Sequence, residues 1–411
     1  MNIDLQRWVD RWAGIPLCAT VSGVDAVIRR FRPASPNDQA PRAIVVILLS
    51  EMGSLVLAHD MFARLKQRYP DAELHALLFG KNREILDLMQ VMNPANVHTV
   101  DDHSLTSLLA SLWKVIRDLR RANVDVAIDC ELFSRISSLL SFACGASVRV
   151  GFHRHTQEGL YRGSHINRRV PYNPYHHISA QFLTLASAID SKAVPTSKLP
   201  IRLTGKPPPH VQLGSTLVPG MQSRLAQDFP GLAGKPLVLV YPGGGILPIR
   251  AWPLASYTAL CEGLVADGCA VAVIGLKDDQ ALARQLVANV QAAHPAFPAS
   301  PVIDLTGYTR SISELLALFH VARLLVTNDG GPGQFAALTP IWTLMLFGPE
   351  TPSLYAPLTP HCYSFYSEWP CSPCLTAYNH RSSYCDGDNQ CLKVIAPATV
   401  LTKARECLAS A

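Results

Sequence analysis

Apolar runs that alternate with helical patterns, in two successive sets, constrain this chain more tightly than any single residue does. In the first set, strand-like runs at 43–49, 73–79, 97–100 and 124–128 are separated by helical patterns over 55–68, 83–92, 105–121 and 133–143. That order predicts a parallel sheet wrapped by helices. A basic, aromatic stretch, GFHRHTQEGLYRGSHINRRVPYNPYHH, reads as a loop region, and a helix over 178–189 follows it. The segment SKAVPTSKLPIRLTGKPPPH is rich in proline and lysine and reads as a linker. The second set then begins, with strands in PLVLVYP, CAVAVIG, PVIDLTG, LLVTND and IWTLMLFG and helices over 254–267, 280–293, 312–322 and 334–338.

A length of 411 residues exceeds one ordinary core and suits two domains of about 200 residues each. The predicted fold is α/β, with two Rossmann-like doubly wound lobes facing a central cleft, at 1–205 and 206–395, and a C-terminal helix at 396–411. Hydrophobic residues make up 48% and charged residues 16%, a balance that excludes a disordered majority. The net charge of +5, with no Lys/Arg run interleaved with aromatics, gives nucleic-acid binding no support and leaves small anionic ligands or an anionic surface as partners. The start, MNIDLQRWVDRWAG, carries acids and no apolar core of signal-peptide length, so a cytoplasmic location is expected. No apolar run approaches the ~20 residues of a membrane span. Leu5, Trp8, Val9 and Trp12 fall at helical spacing, an amphipathic segment that lies either at a bilayer interface or on its own domain.

In sheets of this kind ligands sit where strands end and loops feed helix N-termini. In the stretch EMGS, Glu51 follows a strand, Gly53 permits a tight backbone and Ser54 is placed to cap the next helix. A carboxylate there is a general base or an exposed loop acid. In VYPGGGILPIRAWP, Gly243, Gly244 and Gly245 let backbone N–H groups approach a phosphate, and the Arg250 fork suits a diphosphate. The pattern is neither a Walker loop nor G-x-G-x-x-G, and the alternative is a tight connection. In LLVTNDGGPGQFAAL, Asp329 precedes Gly330 and Gly331, and Pro332 suits a first helical turn that offers an anion site. Asp329 either holds donor hydroxyls or braces the loop. In LFGPETPSLYAPL, Glu350 and Thr351 leave the next strand toward the same cleft or form a rigid loop.

Of eleven cysteines, Cys371, Cys374, Cys385 and Cys391 cluster within CSPCLTAYNHRSSYCDGDNQC, with His380 between the pairs as a substitute ligand. C-x2-C is a turn that metal thiolates favour, whereas C-x5-C is less typical of zinc. A structural zinc or iron site and four reduced thiols both stay open. Disulfides do not suit a reducing cytoplasm.

Taken in order, EMGSLVLAHDMFARLKQRYPDAE, GGGILPIRAWP, DLTGYTRSISELLAL, NDGGPGQFAAL, LFGPETPSLYAPL and the CSPC tail resemble glycosyltransferase family nine, the heptosyltransferase group, over nearly the whole chain. The resemblance implies the GT-B fold and an inverting transfer from a nucleotide-diphosphate sugar, ADP-heptose in the first instance, to an acceptor hydroxyl on a cell-envelope glycolipid or glycan. No cofactor is implied for the chemistry. It further implies an acceptor-binding first lobe and a donor-binding second lobe, with Arg250 as the diphosphate contact, Gly330 and Gly331 in the donor loop, and Asp329 as the donor-site aspartate. The basic loop, with Arg149, Arg154, Arg162, Arg168 and Arg169, lies in the acceptor lobe and suits an anionic acceptor at the inner membrane surface, with Ser54, Arg154 and Arg162 expected to contact it.

Two departures from the family pattern stand out. Ser54 occupies the position where many members carry the catalytic aspartate, so Glu51 is expected to act as base. Gln334 replaces a histidine of the donor loop and donates a hydrogen bond without adding charge. A non-catalytic nucleotide-sugar-binding scaffold is the alternative these departures raise.

Overall fold

A computed structural model of the chain describes residues 8, 10, 12–31, 40–49, 51–132, 134–154, 161–191, 203, 207–293, 302–379, 383, 385 and 388–410. Leu5, Val9, His380 and most of the linker expected at 191–210 lie outside these residues. The chain divides into two compact units, one of Met1–Gly205 with Ala377–Arg381 and one of Lys206–Thr376 with Ser382–Ala411.

The first unit is built on strands β1 (Ala43–Ile47), β2 (Glu73–Phe79), β3 (Val97–Val100), β4 (Val126–Asp129), β5 (Val148–Phe152) and β6 (Arg168–Val170). They form one sheet in the order β3-β2-β1-β4-β5-β6, every neighbouring pair parallel. All five residues of β1 and all four of β4 are buried, as central strands covered by helices on both faces must be. One such cover, the helix Leu105–Arg121, starts at a capping box in which the Ser104 hydroxyl accepts the Ser107 amide and the Ser107 hydroxyl accepts the Ser104 amide, both at 3.1 Å. A cap of this kind stabilises by about 1 kcal/mol. The helix packs Val115 and Leu119 against Val45, Ile47 and Ala127 of the sheet.

The second unit repeats the plan with β7 (Leu237–Tyr241), β8 (Ala270–Val273), β9 (Val302–Asp304), β10 (Leu324–Asn328), β11 (Trp342–Leu346) and β12 (Cys362–Phe365). The order is β12-β11-β10-β7-β8-β9, again all parallel. The closing helix Pro397–Ser410 places Val400, Ala404 and Cys407 in this unit's core. In both sheets the winding reverses beside the first strand, between β1 and β4 and between β7 and β10. Those crevices are where a doubly wound sheet offers a ligand the ends of two loops that part in opposite directions.

Three expectations need correction. The helical pattern over 55–68 is two helices, Met52–Leu57 and His59–Arg68, meeting at Ala58. The donor-loop helix begins at Gly331, not at Gln334, because Pro332 falls in its first turn. The basic stretch is not all loop: β5 ends in it and β6 lies within it. A helix over Gly14–Phe31 was not anticipated. Among the described residues no helix is long and apolar enough to cross a membrane.

The first unit also buries imidazoles. His75 Nδ1 stands 3.1 Å from His98 Nε2, and His165 lies between the hydroxyls of Ser22, at 3.2 Å, and Ser138, at 2.9 Å. Burial lowers His98, His153 and His165 each to about 4. These rings are neutral in the folded chain, while the unfolded chain takes up their protons near pH 6.5. Their stabilising contribution is therefore complete above about pH 6.5 and is lost as pH falls toward 4. The thermal unfolding midpoint is expected to drop between pH 7 and pH 4.5, and a flat profile over that range would contradict it.

Candidate functional site

At the carboxyl end of β1 the backbone is gripped from two sides at Leu49. Its amide donates to Glu131 Oε1 at 2.6 Å, and its carbonyl accepts Asn82 Nδ2 at 2.6 Å and the Phe79 amide at 3.2 Å. Glu131 in turn donates its own amide to Asp129 Oδ1, 3.1 Å away, so the exits of β1 and β4 are tied together at the winding reversal. Neither Asn82 nor Glu131 stood out in the sequence; the carboxylate two residues past the strand-ending Asp129 was the available signal.

Two residues beyond Leu49, Glu51 sits half-buried in extended conformation at the N-cap of Met52–Leu57. Negative charge is favoured at that position. Glu51 Oε2 accepts the Ser54 hydroxyl at 2.7 Å, and the Glu51 carbonyl accepts the Ser54 amide at 3.1 Å. Ser54 is thus not the helix cap expected of it. It lies inside the first turn, 7% exposed, with its hydroxyl turned onto the carboxylate. A hydrogen-bonded, oriented carboxylate at a strand exit is equipped to accept a proton.

The basic residues of this unit separate into two groups. Arg162 is fully buried and does not face an acceptor, contrary to expectation. Its guanidinium donates to the carbonyls of Ser134 at 2.8 Å, Phe152 at 2.9 Å and Glu131 at 3.3 Å, to the Ser137 hydroxyl at 2.9 Å, and to the Asp129 carboxylate. Those contacts engage the whole fork and make Arg162 a pin for the β4 exit. Arg149 is likewise buried, paired with Asp25 at 2.6 Å. Arg154 is exposed and stacks over the Tyr161 ring at 5.3 Å, and Arg169 is exposed on β6.

In the second unit the winding reversal brings three of the expected residues together. Arg250, on a short 3-10 turn, donates from Nη2 to Glu350 Oε1 at 2.7 Å and places Nε 3.5 Å from Asp329 Oδ2. All three side chains are largely enclosed, at 12%, 2% and 8% exposure for Arg250, Glu350 and Asp329. Asn328 holds the surroundings. Its Oδ1 accepts the Trp252 amide at 2.9 Å, and its Nδ2 donates to the carbonyls of Gly243 at 2.9 Å and Pro242 at 3.1 Å. One buried amide thus braces both ends of the glycine turn against β10, a role the sequence signals only as a polar residue ending an apolar strand. Within the turn, a Cβ on Gly244 would stand 2.7 Å from the Leu247 carbonyl oxygen, and Gly245 has φ +60, so a side chain would clash at the first position and is disfavoured at the second.

Gln334 is buried, and its Nε2 donates to the Tyr355 carbonyl at 2.7 Å. That bond uses one of the two N–H groups of the amide, and a phosphate contact falls to the other. Gly330 and Gly331 lead directly into the helix Gly331–Ala336, beside Asp329.

Of the four tail cysteines, Cys371 and Cys385 are exposed, Cys374 is half-buried and Cys391 is buried. Burial pushes the Cys391 thiol up to about 11, reinforced by the charges of Cys374, Cys371 and Cys385. Among the described residues only Asp101, Asp102 and His103, on the surface, bring three ligand atoms within 4.8 Å of one another. The segment does reach the Arg250 turn. Asn389 donates its amide to Cys385 Sγ at 2.9 Å, and its Nδ2 donates to the carbonyls of Ile249 at 3.0 Å and Ala251 at 3.4 Å, on either side of Arg250.

Comparison with known proteins adds a family and a fold. Residues 112–384 match the model of glycosyltransferase family 9 (heptosyltransferase). Lipooligosaccharide heptosyltransferase 2 of Haemophilus ducreyi is 25% identical over 319 residues, covering 77% of this chain and 86% of that protein. Lipopolysaccharide heptosyltransferase 2 of Salmonella typhimurium is 23% identical over 317 residues, covering 77% and 85%. The solved structure of E. coli ADP-heptose lps heptosyltransferase II matches with a TM-score of 0.66 at 21% identity, over 90% of this chain and 99% of that one. Two Rossmann-like lobes of identical strand order are the GT-B architecture.

Proposed function

The chain belongs to glycosyltransferase family 9, the heptosyltransferase family, and from that premise we propose that it moves a heptose, with inversion at the anomeric carbon, from ADP-heptose to a hydroxyl of an anionic cell-envelope glycolipid or glycan. The observation that carries the donor half is Arg250 set between Asp329 and Glu350 at the winding reversal of the second sheet. A nucleotide sugar is a diphosphate flanked by hydroxyl-rich rings. The guanidinium fork suits the phosphates, and carboxylate oxygens beside it suit the hydroxyls. The amides of the turn at Gly243, Gly244 and Gly245, and those at Gly330 and Gly331, add uncharged donors to the same end of the sheet.

In the reaction so proposed, the acceptor hydroxyl oxygen forms a bond to the anomeric carbon from the face opposite the leaving group, and its proton passes to Glu51. The bond from that carbon to the phosphate oxygen breaks, and the nucleoside diphosphate leaves with the electron pair, its charge met by Arg250. No metal enters this step. The first lobe, 1–205, receives the acceptor at the inner membrane surface, with Arg154 available to an anionic group. The second, 206–395, holds the donor. A thermal-shift series with ADP-, GDP- and UDP-sugars tests the donor, because a ligand bound only by the folded chain raises its midpoint. A rise with ADP-heptose above the others, followed by sugar transfer, is expected; a rise with GDP- or UDP-sugars alone would overturn the donor assignment.

The reading includes a structural zinc or iron at Cys371, Cys374, Cys385 and Cys391. It is supported by the Asn389 amide directed at Cys385 Sγ, the type of contact that orients a ligating thiolate. Chelator treatment is expected to lower both the unfolding midpoint and donor affinity, since Asn389 also holds the Arg250 turn. Absence of zinc and iron from freshly purified protein removes the metal from the reading.

A further inference from the structure

The helix Gly14–Phe31 is amphipathic the wrong way round for a helix docked on a globular core. Its buried residues are Gly14, Cys18, Ser22 and Asp25, a stripe of small and polar side chains. The stripe fits its seat closely. A Cβ on Gly14 would stand 2.8 Å from Arg135, the Ser22 hydroxyl accepts the Ser164 amide at 2.8 Å, and Asp25 pairs with Arg149 at 2.6 Å. A second, exposed face carries Leu17, Val24, Val27, Ile28 and Phe31, at 51%, 47%, 59%, 37% and 80% exposure. At 100° per residue, Leu17, Val24, Ile28 and Phe31 fall within an arc of about 60°. Just ahead of the helix, Trp8 and Trp12 are exposed at 60% and 61%.

Charge is sorted along the same line. The acids of the segment that the structure describes turn inward, Asp10 to Arg135 at 3.3 Å and Asp25 to Arg149. The cations turn outward. Arg29 and Arg30 end the helix exposed, and Asp25 must serve both Arg29, at 2.7 Å, and Arg149. An apolar stripe that ends in arginines, is led by indoles and, among the described residues, carries no outward carboxylate is complementary to an anionic bilayer, in which apolar side chains enter the acyl boundary and guanidiniums meet phosphates.

We propose that the outward face of Gly14–Phe31, with Trp8 and Trp12, docks the enzyme on an anionic phospholipid surface. The proposal extends the reading of the acceptor as a membrane-borne glycolipid, and vesicles free of any glycan acceptor test it separately. Full-length protein is floated with phosphatidylglycerol/phosphatidylethanolamine vesicles and with phosphatidylcholine vesicles, alongside the Val27→Glu/Phe31→Glu variant. Both positions are exposed, so an unchanged unfolding midpoint identifies the variant as folded; Val24→Ser/Val27→Ser substitutes for it otherwise. Flotation with the anionic vesicles, weak flotation with the neutral ones and a loss of about tenfold or more in the variant are expected. Absence of flotation, or flotation that the variant retains, overturns the proposal. So does a dimer seen by light scattering that the same substitutions dissociate, which would assign the face to a second copy of the chain.

Discussion

In the Glu51→Gln variant, kcat falls by about 10²–10⁴-fold, the usual contribution of a positioned general base, while donor affinity measured by calorimetry is unchanged. The amide is nearly isosteric and its oxygen still accepts the Ser54 hydroxyl, which stands 2.7 Å from the carboxylate in the native chain. What is lost is the capacity to take up a proton. Ser54→Ala provides the complementary measurement. It removes the group that orients the carboxylate but not the carboxylate, so a smaller loss in kcat is expected, without a change in donor affinity. Wild-type turnover in Glu51→Gln would show that the base lies elsewhere. Transfer by Glu51→Ala, which vacates the space of the carboxylate, raised by an added small carboxylate such as formate would place the missing function at this position.

The second large effect is expected at Arg250. Replacement by alanine removes charge-assisted hydrogen bonds worth about 1.5–3 kcal/mol, so donor affinity falls by about 10- to 100-fold. The same substitution leaves Glu350, 2% exposed, and Asp329, 8% exposed, without their cation. Breaking a buried pair on one side destabilises a fold by about 3–5 kcal/mol. Arg250→Met with Glu350→Gln separates the two effects, because it removes a carboxylate together with the guanidinium. Stability is expected to recover in the double variant and donor affinity is not. Native donor affinity in a well-folded double variant would exclude Arg250 from the diphosphate site.

The sheets were legible because their central strands are apolar on both faces, as the fully buried β1, β4, β7 and β10 illustrate. The edges were not. β5 and β6 carry arginines, and Arg149 on β5 is buried against Asp25, a partner 124 residues away that hydropathy cannot register. The helix Gly14–Phe31 escaped for the converse reason, since its inward face is glycine, cysteine, serine and aspartate. In the candidate site, residue types were legible and pairings were not. Glycine, arginine and aspartate at strand exits have a meaning that local chemistry supplies. That Arg250 meets Glu350, 100 residues on, depends on β7, β10 and β11 lying side by side, which only the assembled sheet establishes. Arg162 is the instructive reversal: counted among surface cations by its sequence context, it is among the largest fully buried side chains.

Asn389 gives the cysteine tail a reach that its sequence does not suggest. Its amide rests on Cys385 Sγ and its side chain holds the carbonyls on both sides of Arg250. An oxidant or alkylating agent that captures Cys385, an exposed thiol, therefore acts on the seat of the guanidinium without touching the donor. Storage history of the purified enzyme becomes a variable in any measured donor affinity, and thiol titration belongs beside every activity assay.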